Sequence, residues 1–304
     1  MDGNKKENVH YYWDSANRPV ATVDSGEELK ISIPDSSTLQ IRRNSKEEDL
    51  KLIDWGKVDG AVGPIFINNA KPGDALKIQI LDVEIGDWGW TAIFEKFGVL
   101  SNEFEDDLII WEIKDGFAKS VKKNFLSDIL IPTNPFLGII GTAPKSGQHA
   151  MIPPQYFGGN MDNKLLTSGS VLHLPVSVEG GLISFADPHA AQGDGEVCGT
   201  AIETTATIRV KVEVEDRKDL KFPFVESYDL SQGKIMTSMG ISQDMAEAGK
   251  QAVKEMIKLL RNVGYSKEEA YVLCSVTGNL RISEMVDMPN YVVSMTMPSQ
   301  LFKK

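Results

Sequence analysis

Cysteine is scarce in this chain. Cys198 and Cys274 are the two it has in 304 residues, and no CxxC pair occurs, which excludes a disulfide framework. No run of about 18 apolar residues exists, so no helix is expected to span a membrane. The N-terminal MDGNKKENVHYYWD has no apolar core of the kind a secretory signal carries. Together these absences predict a soluble, cytoplasmic protein. Positive charge is also in short supply, with Lys and Arg at 32 against 43 Asp and Glu, for a net charge of −11. A surface of that sign repels phosphate backbones and excludes nucleic acid as a partner, while it tolerates cations. Low-complexity linkers and internal repeats are missing, so residues 1–304 read as a single domain. The hydrophobic content of 41% is enough to give that domain a real core.

The strand signal dominates the chain up to residue 230. PVATV from Pro19 and LKISI from Leu29 flank a turn at Asp24-Ser25-Gly26. Lys71-Pro72-Gly73-Asp74 launches ALKIQILDVEI, where Leu76, Ile78 and Ile80 alternate with Lys77, Gln79 and Leu81 as in a half-buried strand. DLIIWEIKDGFAKSV reads as a hairpin around Asp115-Gly116. In TTATIRVKVEVE the apolar face is Ile208, Val210, Val212 and Val214. On the order of ten short strands at such spacing predict a sandwich or barrel over residues 19–230. Helix signals are few. Ser45-Lys46-Glu47-Glu48 has capping-box spacing ahead of Leu50 and Ile53. After residue 235 the period changes. Ser242 can cap a helix carrying Met245, Ala248, Ala252, Met256 and Leu260 up to Gly264. A second capping box runs from Ser266 to Glu269, and strands at 278–285 and 291–297 close an α+β segment over 235–300 that packs on the β body.

The densest chemistry lies between Phe157 and Glu203. Asp187, His189, Gln192, Asp194, Glu196 and Glu203 are separated by small residues, among them Ala190, Ala191, Gly193, Gly195 and Gly199. Glycine permits positive φ and close approach of backbone to ligand, so this stretch reads as a loop wrapped tightly around something. Asp187 and His189 are two apart, as are Asp194 and Glu196, and side chains at i and i+2 of an extended backbone share a face. Carboxylates with an imidazole suit zinc or a harder divalent ion. The plainer alternative is a set of turn acids around one hydrogen-bonded core histidine.

With these residues in view the sequence resembles the acetamidase/formamidase family. The similarity runs from Trp13-Asp14, Pro19-Val20 and Gly63-Pro64 through Pro72-Gly73-Asp74 and GIIGTAP at 138–144. It continues through GGNMD at 158–162 and Leu174-Pro175-Val176 to DPHAAQGDGE at 187–196. The resemblance implies a mainly β, overall α+β fold: a jelly-roll-like β-sandwich with a smaller α+β subdomain near the C-terminus. It also implies hydrolysis of short aliphatic amides with release of ammonia, metal dependence, and a homodimer or higher homo-oligomer. His173 stands where an aromatic or aliphatic residue is expected beside Leu174, and the N-terminal histidines of some relatives are reduced to His10.

Amide hydrolysis needs an activated nucleophile, a polarised carbonyl and a proton for the leaving nitrogen. The metal route assigns Asp162, Asp187 and His189 as ligands of a divalent ion, zinc first and calcium as the alternative. Glu196 and Asp194 are the candidates for acid–base work, with Glu196 the general base and Glu203 in support. Asn160, Gln192 and His149 are candidates for substrate binding. A thiol route through Cys198 with Glu203 as base is weaker, because VCGTAI is an apolar setting where cysteine usually just fills space. Thr167-Ser168-Gly169-Ser170 only faintly echoes a serine nucleophile loop. The competing classes are a metal hydrolase of another small carbonyl substrate and a non-enzymatic, metal-stabilised sandwich that binds a carbohydrate or protein partner.

Overall fold

The computed structural model describes residues 1–122, 125–229 and 232–302. Its backbone is organised by the Ile202–Glu215 strand, which pairs on one side with the 19-residue Ala75–Ile93 strand and on the other with Glu28–Ile33. Period-two patterning explains the pairing. Ile208, Val210 and Val212 are fully buried, as are Leu76 and Ile78 on the neighbouring strand, while the intervening polar side chains face outward. Val214, at the end of the stripe, is half-buried.

Two groups of strands close over this core. Ala75–Ile93 extends one group through Val171–Pro175, Phe224–Asp229 and Gly233–Ser242 to Tyr291–Pro298. The other group sets Ile183–Ala191 between Ala61–Ile67 and Phe136–Gly141. Ile31, Val62, Ile65, Leu76, Phe136, Leu172, Ile183, Phe185, Ile208 and Val225 meet in one apolar cluster. The fold is the expected mainly β one. The hairpin at Asp115-Gly116 forms, joining Asp107–Lys114 to Phe117–Ser120. The end expected for the β body, Leu230, lies outside the described residues.

The helical expectations hold with shifted ends. The first helix, α1, spans Met245–Asn262 and is capped by Asp244, whose carboxylate accepts from the Glu247 N–H; Ser242 lies two residues too early. The second, α2, spans Lys267–Thr277 and opens with the reciprocal Ser266–Glu269 capping box. Near Ser45 the chain makes only a 3₁₀ helix, Glu47–Leu52, and Asp49 rather than Glu48 accepts from the Lys46 N–H. The larger correction concerns the acidic stretch. Its first half is no loop, because Asp187 and His189 sit inside the Ile183–Ala191 strand.

Helix α1 docks on the Gly233–Ser242 strand by near contact of backbones. A Cβ at Gly240 would lie 1.9 Å from the Ala248 carbonyl oxygen and 2.6 Å from the Ala252 nitrogen. Ser238 Oγ donates to the Ala252 carbonyl oxygen at 2.7 Å beside it. Gly240→Ala therefore forces the helix away from the sheet. The expected loss is about 1–3 kcal/mol or more of stability, read as a lower urea midpoint, whereas Gly233→Ala, at a turn with open space, loses only the strain of its positive φ.

Candidate active site

The Ile183–Ala191 strand changes partners along its length. Its first half pairs with Ala61–Ile67, through Ile183↔Ile65 and Phe185↔Val62. Its end pairs with Ile202–Glu215, through His189↔Glu203 and Ala191↔Ile202, and the register shifts within each pairing, between Ile183 and Phe185 and between His189 and Ala191. The strand thus bridges the two groups of strands, and the residues at the crossing are Asp187 and His189. Asp187 has φ of 58°. That left-handed kink accompanies the change of direction, and the Asp187 carboxylate Oδ1 ends 3.0 Å from His189 Nε2.

Strain of this kind gathers here. Ten non-glycine residues among those described have positive φ, and Asp59, Asp162, Asp187 and Glu196 are four of them. All four line one cavity of about 60 Å³. Such backbone costs of order 1–3 kcal/mol per residue and survives where function needs it. Glycine completes the geometry at one point. A Cβ on Gly138 would sit 2.3 Å from both Asp162 Oδ1 and Asp187 Oδ2, so only a hydrogen fits between these carboxylates and the Phe136–Gly141 strand. The Gly138 carbonyl also accepts from the Met161 and Asp162 N–H groups, at 3.0 and 3.2 Å, and so fixes the turn that presents Asp162.

His189 is oriented by a chain of hydrogen bonds. Gln192 Nε2 donates to the Asp162 carbonyl oxygen at 2.9 Å, which leaves Gln192 Oε1 facing His189 Nδ1 at 2.9 Å. An amide oxygen only accepts, so Nδ1 carries a hydrogen. Nε2, the other ring nitrogen, faces Asp187 Oδ1 at 3.0 Å, Glu203 Oε2 at 3.2 Å and Glu196 Oε1 at 3.9 Å. Glu203 is held in turn by Ser36 Oγ at 2.7 Å and the Ala201 N–H at 2.8 Å. Phe136 packs edge-on against the imidazole, with centroids 5.0 Å apart.

Electrostatically the cluster sets several buried carboxyls around one imidazole. Among the described residues the ion pairs of Asp162, Asp187, Glu196 and Glu203 all go to His189. Burial pushes the carboxyls of Asp59, Asp187, Glu196 and Asp287 well above the usual carboxylate range. Burial alone would lower His189, but the carboxylates of Asp187 and Glu203 prevail and hold it well above the ordinary imidazole range. Both Asp162 oxygens and Asn160 Oδ1 are buried with no hydrogen-bond partner. Two overlapping sets, Asp162/His189/Glu196 and Asp187/His189/Glu203, have ligand atoms within 4.8 Å of one another. A buried imidazole whose second nitrogen donates to a fixed acceptor, surrounded by hard oxygens, is a donor set that fits a divalent cation.

Of the residues singled out from sequence, Asp162, Asp187, His189 and Glu196 converge, and Asn160 lines the same cavity. Glu203, expected in a supporting place, stands at the centre. Gln192 touches His189 rather than the cavity, so it orients the imidazole. Asp194 is not brought in: its carboxylate turns away to Arg281 at 2.8 Å and Lys164 at 3.2 Å, at the edge of the solvent. His149 is also elsewhere, on a short strand paired with Trp13, where its Nε2 meets the Ser146 carbonyl oxygen. His173 is clamped between Glu215 and Glu226 on the far side of the fold. His10 meets Ser184 Oγ through Nε2 at 2.8 Å, and burial lowers its pKa to about 4. Cys198 directs its thiol at the Thr200 carbonyl oxygen.

Other cavity residues come from parts of the sequence that gave no signal. Asp59 follows the aromatic 3₁₀ turn Trp55–Lys57, and Asp287 belongs to the loop after the Asn279–Glu284 strand. Asp287 Oδ2 accepts from Asn160 Nδ2 at 2.8 Å. Their separation from residues 157–203 hides them, since only tertiary pairing brings the segments together.

Comparison with known proteins identifies relatives of this chain. The chain is 29% identical to a formamidase of Methylophilus methylotrophus, over 97% of this chain and 89% of that protein. It is 29% identical to an acetamidase of Mycolicibacterium smegmatis, over 87% and 84%. A crystal structure of a predicted acetamidase/formamidase from Thermoanaerobacter tengcongensis superposes with a TM-score of 0.90 at 32% identity, covering 100% of this chain and 96% of that one. The sequence model of the acetamidase/formamidase family matches residues 2–150 and 145–304. With that match spanning nearly its whole length, the chain belongs to the acetamidase/formamidase family, hydrolases of carbon–nitrogen bonds in linear amides.

Proposed function

We propose that this protein hydrolyses a short aliphatic amide, of the acetamide and formamide type, to carboxylate and ammonia at a divalent-cation centre. The observation that carries the reading is the direction of His189 Nε2. Its partner nitrogen is committed to Gln192, and Nε2 confronts the oxygens of Asp187 and Glu203 at 3.0 and 3.2 Å, three donor atoms close enough together to share one divalent ion in place of the imidazole proton. His189, Asp187 and Glu203 would hold the ion, with Asp162 facing them. One imidazole among carboxylates favours zinc over calcium, which prefers six to eight oxygens. A bound divalent ion supplies a polarised carbonyl and an acidified water.

The chain's own residues do the rest. Glu196, at the cavity wall and 3.9 Å from His189 Nε2, takes a proton from the attacking water and returns it to the departing nitrogen. Asn160 keeps its Nδ2 on Asp287, and its unpartnered Oδ1 accepts from the substrate NH₂. Gln192 keeps His189 in the tautomer that frees Nε2. We place the protein in the cytoplasm, in keeping with its two free thiols, as a homodimer or higher homo-oligomer. Light scattering at the 33.5 kDa chain mass would contradict the assembly.

Asp187→Ala and His189→Ala should lose bound metal and ammonia release together. Glu196→Gln should keep the metal and lose roughly 10²- to 10⁴-fold in rate, the usual worth of a general base. Cys198→Ala should lose little. Metal content by elemental analysis and ammonia release across formamide, acetamide and propanamide decide the matter. Activity that survives Asp187→Ala and His189→Ala but vanishes in Cys198→Ala would replace the metal route by a thiol one.

Gly138→Ala gives an independent check away from the ligands themselves. Its methyl group would collide with both Asp162 and Asp187, so bound metal should fall tenfold or more while far-ultraviolet circular dichroism keeps the β signature. Full metal occupancy in that variant would mean that these two carboxylates do not share an ion.

A further inference from the structure

The cavity is lined by two chemically different groups, and the amide reading uses one of them. Asp59, Asp162, Asp187, Glu196, Glu203 and Asp287 form the acidic group. A second group of lining residues is aromatic. Trp55 stacks edge-on against Phe94, with centroids 4.9 Å apart, and against Phe97 at 6.4 Å, and all three rings line the cavity. Trp55 is 48% exposed and forms the outer wall. It is held by the 3₁₀ turn Trp55–Lys57, where Asp54 Oδ1 accepts from the Gly56 N–H at 3.1 Å. Phe97 is backed by glycine, since a Cβ on Gly199 would lie 2.3 Å from its Cδ1. Trp90 also reaches the cavity, but its indole N–H is committed to Asp35 and it is buried in the core.

We infer that Trp55 and Phe97, with Phe94 behind them, are the specificity-determining acyl pocket of this enzyme and set the length of acyl chain it accepts. The inference rests on the amide-hydrolysis reading. A polar amide head drawn to the carboxylates leaves its acyl group to the apolar lining, in which these rings are among the large side chains. The volume of about 60 Å³ corresponds to roughly four to six water-sized groups, at about 10–15 Å³ each. Formamide and acetamide fit that space together with an attacking water, and lengthening the acyl chain brings it up against Trp55 and Phe97.

The test is a panel of linear amides from formamide to hexanamide, with turnover and calorimetric binding measured for wild type, Trp55→Ala, Phe97→Ala and Tyr228→Ala. Trp55 is half-exposed, so its truncation leaves the core intact. Wild type should lose about tenfold or more in kcat/KM per methylene beyond acetamide, the usual discrimination of a closed pocket. In Trp55→Ala and Phe97→Ala the ratio of kcat/KM for butanamide to that for formamide should rise tenfold or more. Tyr228, an exposed aromatic outside the cavity, should leave the ratio unchanged when truncated. If wild type releases ammonia from short amides and the ratio stays put in both pocket variants, the acyl-pocket assignment is wrong while amide hydrolysis stands. If no amide is cleaved but binding falls with chain length and recovers in Trp55→Ala, the pocket stands and the hydrolysis reading falls. Absence of both turnover and binding overturns both.

Discussion

Burying several carboxylates around a single imidazole is the constraint that the rest of this structure serves. Asp59, Asp162, Asp187, Glu196, Glu203, Glu284 and Asp287 are all less than a tenth exposed, in a medium where an unpaired charge is costly. The ion pairs recorded for the central four all end on His189. A cluster so one-sided would not persist in a β core as packing filler. It is held by a second layer of neutral donors, with Ser36 and the Ala201 N–H on Glu203 and Asn160 on Asp287. Beneath it Asp35 accepts from Ser37 and Trp90.

That constraint accounts for features which otherwise look like defects. The left-handed backbone at Asp59, Asp162, Asp187 and Glu196 aims four acids from four different segments at one small volume. Regular strands could not do this, because a strand fixes its side chains to alternate faces. The partner switch in the Ile183–Ala191 strand supplies the break in regularity just where His189 meets Glu203. The C-terminal segment contributes as well as packing: Glu284 receives the Val286 and Asp287 N–H groups on one oxygen, and burial raises its carboxyl to about 8. Docking of α1 through Gly240 therefore bears on the site, since α1 also packs on the Tyr291–Pro298 strand that pairs with Asn279–Glu284.

Much of this was legible in the sequence, for reasons that can be named. Alternation in TTATIRVKVEVE marks a strand buried on one face, and the cap at Ser266 marks a helix start, because both signals are local. The grouping of Asp187, His189 and Glu196 was legible through spacing and small neighbours. What misled was the same smallness, which suggested a loop where Asp187 and His189 lie on a strand that bends. Asp194 shares the spacing of its neighbours, yet Arg281, 87 positions away, claims it. Asp59 and Asp287 join the cavity through tertiary pairing alone, and Trp55, Phe94 and Phe97 look in sequence like ordinary scattered aromatics. Glu203 was visible in the acidic cluster only in a supporting place; its cross-strand partner His189 brings it to the centre.

The two groups of lining residues also explain how so polar a site is tolerated. Three of the cavity acids belong to segments anchored in apolar structure close by. Asp187 follows Ile183, Phe185 and Ala186, Glu203 precedes Ala206 and Ile208, and Asp162 follows Met161, all of them buried. Large apolar side chains buried on either side of the site contribute of order 1.5–3 kcal/mol each, which offsets the strain and desolvation at the acids. The balance is tighter at the aromatic wall, where Trp55 and the Phe94–Phe97 segment are only partly covered. The acids are thus fixed by buried neighbours, while the aromatic wall is held by ring-on-ring contacts of Trp55 with Phe94 and Phe97 at the edge of the solvent.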